Sequence, residues 1–169
     1  MGHNVRLLVG SPRVLSAYAT LTPMAHLFSL TSGASLCVLP LDDDLHDALH
    51  RAYGTCEWRT SPPLVSSGDM AFAAEASRQG PLACLETSYF GGAGHQAAIV
   101  WASGEIVLGP HVLKRQDQER RSPALWPVNA ALRLLGVSPR DGEDEFQAMG
   151  LHFYRSNEDI WSMAARVRP

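Results

Sequence analysis

Residues 82–108 read LACLETSYFGGAGHQAAIVWASGEIVL, and their punctuation decides the fold class. Residues 82–90 mix apolar and aromatic side chains with Glu86, Thr87 and Ser88, then stop at Gly91-Gly92-Ala93-Gly94. Glycine reaches positive φ at no steric cost, so such a cluster marks a turn. A second apolar run fills 96–102, and Ser103-Gly104 turns the chain into a third at 105–108. Three extended runs joined by tight turns predict an antiparallel β-meander.

The flanking sequence supplies helices to cover it. Residues 42–53 carry the clearest helical period, with Leu45, Ala48, Leu49 and Ala52 on one face and Asp43, Asp47 and Arg51 opposite. Asp42-Asp43-Asp44 stands where the helix dipole favours negative charge, and Gly54 closes the helix. Upstream, 5–9 predicts an opening strand and 14–21 a short helix, with Ser11 as cap and Pro12 in the first turn. Residues 26–30 and 35–39 predict a hairpin around Thr31-Ser32-Gly33. A strand over 56–58, a loop at 61–63 and a helix over 70–78 follow. Downstream, 114–121 predicts a charged loop and 126–135 a third helix. The acidic segment 141–145 leads into Phe146, and Ser156 caps a last helix. These patterns predict one α+β domain over residues 1–169, its meander packed against several short helices.

Composition narrows the function classes. Of 169 residues, 46% are hydrophobic, enough for a packed core rather than a disordered chain. A formal charge of −3 gives no overall attraction for phosphate backbones, so nucleic acid is not an expected partner. Cys37, Cys56 and Cys84 form no CxxC pair, and their odd number cannot close fully into disulfides. They predict buried free thiols in a reducing compartment. The N-terminus lacks a signal-peptide pattern, and no run approaches the roughly 20 apolar residues of a membrane helix. The expectation is a cytoplasmic protein that needs no membrane.

No motif for chemistry is complete. The glycine cluster could present backbone amides to an anion, but no Lys-Ser/Thr pair follows and no helix is expected after it. The simpler reading is a turn. Cys84, His95 and Glu86 could be drawn as nucleophile, base and orienting group across the hairpin. Against that, Leu82-Ala83-Cys84-Leu85 is an apolar run, in which a cysteine is ordinarily inert packing. His46 and His50 have the i, i+4 spacing of metal ligands, but no third ligand accompanies them. Neither a metal nor a cofactor is expected. Lys114, Arg115, Arg120 and Arg121 are interrupted by Asp117 and Glu119, as in a solvated loop.

Three stretches taken together carry a resemblance. They are LETSYFGGAGHQ at 85–96, WPVNAALRLLGV at 126–137, and the span from Asp144-Glu145-Phe146 to Glu158-Asp159. In this order they resemble small bacterial immunity proteins, which neutralise secreted polymorphic toxins. The resemblance covers the second half of the chain. It implies a non-catalytic, protein-binding inhibitor whose partner is a cognate toxin domain. Toxins acting on nucleic acids or nucleotides often present a basic cleft. The expected contacts are therefore the acidic runs Asp42, Asp43, Asp44 and Glu143, Asp144, Glu145. Two alternatives stay open: a small hydrolase or transferase using Cys84, His95 and Glu86, and a structural or regulatory subunit that oligomerises.

Overall fold

The strand His3–Gly10, β1, lies at the centre of the sheet and sends its side chains into two separate cores. Side chains alternate across a strand, so Leu8 enters one core while Val5, Leu7 and Val9 enter the other. The computed structural model describes residues 2–23, 25–31, 35–54, 57, 59 and 64–167. After β1 come α1 (Pro12–Ala19), β2 (Leu27–Ser29), β3 (Cys37–Pro40), α2 (Asp43–Tyr53) and α3 (Ser67–Ala76). The meander is β4 (Leu82–Phe90), β5 (Ala93–Ala102) and β6 (Glu105–Lys114). Then follow α4 (Arg115–Gln118), α5 (Pro127–Leu134), α6 (Glu145–Ala148), α7 (Asn157–Met163) and β7 (Ala165–Val167).

The sheet order is β6-β5-β4-β1-β3-β2-β7, and every strand pairing among the described residues is antiparallel. On one face, α1, α2 and α3 bury Leu15, Tyr18, Leu45, Leu49 and Ala73 against Leu8, Cys84, Ile99 and Trp101. On the other, α5, α6 and α7 bring Val128, Leu132, Phe146 and Ile160 onto the core of Leu7, Leu85, Ala98 and Val100. Each fully buried large side chain stabilises the fold by about 1.5–3 kcal/mol relative to exposure. This is the α+β class expected from the sequence. Among the described residues no helix is long and apolar enough to cross a membrane.

The elements differ from expectation mainly at their ends. Phe90 pairs directly with Ala93, so the first meander turn is Gly91-Gly92 alone, with φ of 58° and 84°. Two consecutive positive φ values fit the tight turn that follows the twist of a hairpin. The third strand runs past Leu108 to Lys114 because β5 continues to pair with it. The charged stretch after it forms the short helix α4 rather than only a loop. α3 begins at Ser67 instead of Met70, because Ser66 and Asp69 close a reciprocal capping box. β2 and β3 pair at Phe28 and Val38, while Ser32 and Gly33 of their expected turn lie outside the described residues. So do Cys56 and Trp58 of the expected strand, and the loop at 61–63.

Candidate functional site

Toward the start of β1 and the end of β4, the apolar alternation gives way to polar side chains on both faces. Thr87, Gln96, Gln118 and Asn129 are among the few buried polar residues, and all four line one cavity of about 390 Å³. His3, Thr87, Tyr89 and Gln96 form its floor on the sheet. Its other walls come from Trp126, Val128 and Asn129 at the start of α5, and from Asp144 and Phe146 at the start of α6. Phe90 and Gly92 of the hairpin, with Arg115 and Gln118 of α4, complete it.

Most of the polar lining is already hydrogen-bonded. The His3 Nε2 atom lies 3.4 Å from the Leu151 carbonyl, and Nδ1 lies 2.6 Å from the Thr87 hydroxyl. A carbonyl only accepts, which assigns the imidazole proton to Nε2 and makes Nδ1 the acceptor from Thr87. Burial holds the His3 pKa below its ordinary value of 6.5, against the smaller upward pull of nearby carbonyls. Gln96 Oε1 accepts the Val128 backbone N–H at 3.1 Å, in place of an intrahelical partner. The Gln118 amide donates to the Tyr89 hydroxyl, and Arg115 donates to Gln118 Oε1 at 3.1 Å. Desolvation raises the Tyr89 pKa and keeps its phenol neutral. Asn129 donates to the Pro123 carbonyl at 3.0 Å and to Asp144 at 3.3 Å, and accepts the Phe146 N–H at 3.1 Å. The exception is Trp126, whose indole nitrogen is buried and has no acceptor among the described residues.

The neutral state of His3 makes stability depend on pH in a definite direction. A base whose pKa is lowered on folding binds its proton more readily in the unfolded chain. Its stabilising contribution is whole above about pH 6.5 and is lost as pH falls through the lower, folded value. The expected result is a fall in the urea midpoint between about pH 7 and pH 5 that is shallower in His3→Gln. The difference stays well under the limit of about 1.4 kcal/mol per pH unit for one proton, because His3 is only partly buried. Equal slopes in the two proteins would remove His3 from this role.

On the opposite face, a second cavity of about 320 Å³ is lined by Asn4, Arg6, Leu41, Glu86, Ser88, Asn157 and Glu158. Beside it, His95 Nε2 lies 2.7 Å from Glu86 Oε1. Two members of the expected catalytic trio therefore meet. The third does not. Cys84 pairs with Ile99 and His95 with Ser88, which places Cys84 about 13 Å along the strand from His95. The Cys84 thiol is also fully buried in the α1–α3 core, and desolvation pushes its pKa far above the ordinary value. Among the described residues no three His, Cys, Asp or Glu side chains are grouped to hold a metal.

The two acidic runs lie in opposite layers. Leu45 and Leu49 of α2 belong to the core beneath α1–α3, whereas Phe146 and Met149 pack on the other face of the sheet. Asp42 caps α2 by accepting the Leu45 N–H at 2.9 Å, and Asp43 and Asp44 are exposed. Asp144 caps α6 in a capping box with Gln147. Glu145 is buried and meets Arg133 at 2.6 Å, so Glu143 is the one exposed acid of that trio. Both runs sit at helix starts, as dipole chemistry favours.

Sequence reasoning passed over His3, Tyr89, Gln118, Trp126 and Asn129. The one readable signal was Asn129, a polar residue on the apolar face of its helix. No protein family, curated protein or solved structure matches this chain.

Proposed function

We propose that the chain is a protein-binding inhibitor of the immunity kind, and that it grips its toxin domain with the hairpin tip at Phe90. The observation that carries the contact is Phe90 itself. It is 84% exposed at the end of a two-residue turn, and the β4–β5 ladder holds it in place. An aromatic side chain projecting from a stiff ribbon loses little freedom on binding, and phenylalanine is enriched at protein interfaces. Two other exposed apolar side chains, Leu125 and Phe153, neighbour cavity residues in the sequence. Leu125 precedes Trp126 of the cavity wall, and Phe153 follows two residues after Leu151, whose carbonyl meets His3. Lys114, Arg115, Arg120 and Arg121 are exposed in the segment beside the cavity. The partner surface that fits is apolar at its centre and acidic at its rim.

This reading replaces the acidic face with an apolar, basic-rimmed one as the point of contact. The two acidic runs lie in opposite layers, and Asp42, Asp144 and Glu145 serve the fold, which leaves Asp43 and Asp44 on one side and Glu143 on the other as the exposed acids of the rival contact. The hydrolase or transferase alternative loses its nucleophile, because Cys84 is distant from His95 and buried. The test is co-expression with the toxin domain encoded beside this chain. Wild type is expected to restore growth and to co-purify with the toxin in a fixed ratio. A toxin that kills equally with and without the chain, and that forms no complex with it, would end the immunity reading.

A further inference from the structure

We propose that the cavity between the sheet and the starts of α5 and α6 binds a small, uncharged aromatic molecule. This site is independent of toxin inhibition, and either proposal can fail without the other. The cavity's volume of about 390 Å³ lies toward the lower end of the roughly 300–1,000 Å³ typical of small-molecule sites. That size suits a ligand of one or two rings.

The lining disfavours a charged ligand because its polar groups already serve one another. Thr87 bonds His3, whose other ring nitrogen reaches the Leu151 carbonyl. Gln96 Oε1 is taken by the Val128 N–H, and Gln118 is held between Tyr89 and Arg115. Asn129 bonds Pro123, Asp144 and Phe146. The two charged residues of the lining, Arg115 and Asp144, have opposite signs and so favour neither sign of ligand. Arg115 is exposed, and each Asp144 oxygen already accepts a hydrogen bond, from the Gln147 N–H at 2.9 Å or from Asn129 at 3.3 Å. The Trp126 nitrogen is closed off from solvent, so this residue has only its ring to offer. A charge brought here would lose its hydration with no partner waiting to replace it, whereas an apolar body gains by leaving water.

Rings supply the attraction. His3, Tyr89, Phe90, Trp126 and Phe146 all line the cavity. His3 and Phe146 already meet at a tilt of 60°, with ring centroids 5.3 Å apart. A ligand ring can add contacts of the same tilted kind, which are worth more than the burial of equal aliphatic area. The lining therefore prefers an aromatic body to an aliphatic one of similar size.

The test titrates indole and 4-methylphenol into protein labelled with nitrogen-15. Cyclohexanol is the uncharged aliphatic match, and indole-3-acetate and tryptamine are the charged ones. At least one of the two aromatics is expected to bind saturably, with a dissociation constant near or below about 1 mM. It should move the backbone amide signals of Thr87, Gln96 and Phe146. Cyclohexanol is expected to bind at least about 3-fold more weakly, and both charged matches at least about 10-fold more weakly. Phe146→Leu removes one ring from a half-buried position and should weaken binding at least about 3-fold. If that variant fails to fold, the ranking of the five compounds on wild type decides alone. The proposal is overturned if neither aromatic binds, or if the signals that move lie away from the cavity. It is equally overturned if cyclohexanol or a charged match binds as tightly as the better aromatic, or if folded Phe146→Leu keeps the wild-type affinity.

Discussion

Gly94→Ala is expected to destabilise the chain by about 3–5 kcal/mol, measured as the loss of unfolding free energy in a urea titration. Gly94 has φ of +131°, a conformation an L side chain rarely adopts. A Cβ built there would stand 1.9 Å from the Ser88 carbonyl oxygen and 2.8 Å from the Tyr89 Cα. Both are backbone atoms of the paired strand, so neither can swing aside as a side-chain tip would. Relief requires breaking the β4–β5 ladder beside the hairpin turn, which also carries Phe90. Gly92→Ala is the matched control. It has φ of +84° but nothing within 4 Å of the added atom, so it costs only the conformational penalty of about 1–2 kcal/mol. Equal losses in the two variants would contradict the close approach at Gly94.

Asn129→Asp is expected to cost about 3 kcal/mol or more, with a characteristic pH dependence. The wild-type amide is nearly fully buried and makes three bonds, two as donor and one as acceptor. A carboxylate keeps the acceptor for Phe146 but turns an oxygen toward the Pro123 carbonyl and the Asp144 carboxylate. Burial and the like charge both raise the pKa of the new acid. The penalty is therefore whole above that raised value, and shrinks as pH falls through it and protonation restores a donor. The gap from wild type should narrow on acidification. A variant within about 0.5 kcal/mol of wild type at neutral pH would show that Asn129 does not tie α5 to α6.

The meander was readable because its signals are local. Alternation, two glycine turns and tight spacing all fall within one stretch, and they agree. The helix ends were less so, because Ser66 and Asp69 signal a start three residues before the apolar pattern of α3 becomes obvious. Asp144 and Gln147 also spell a capping box, yet as part of an acidic run they read as surface charge. Glu145 read the same way, and nothing local announces its pairing with Arg133, 12 residues away. The cavity was the least visible feature. His3 meets Thr87 across 84 positions and Leu151 across 148, contacts that only the tertiary fold creates. The Cys84, His95 and Glu86 grouping failed for a register reason. All three share a face, but a strand advances about 3.4 Å per residue, and the ladder sets Ser88, not Cys84, opposite His95.

The most direct test of the Phe90 contact is the affinity of the purified chain for its toxin domain, compared across three proteins. Wild type sets the reference, Phe90→Ala removes the projecting ring, and Asp43→Lys with Asp44→Lys reverses the exposed acids of α2. Phe90 is too exposed for its loss to harm the core, and circular dichroism should confirm an unchanged fold. An interface anchor of this kind is worth about 2 kcal/mol or more, so Phe90→Ala should bind about 30-fold more weakly, mainly through faster dissociation. The Asp43 and Asp44 reversal should change the affinity by less than about 3-fold. An unchanged affinity in Phe90→Ala, with binding lost in the acidic reversal, would contradict the hairpin-tip contact and return the interface to α2.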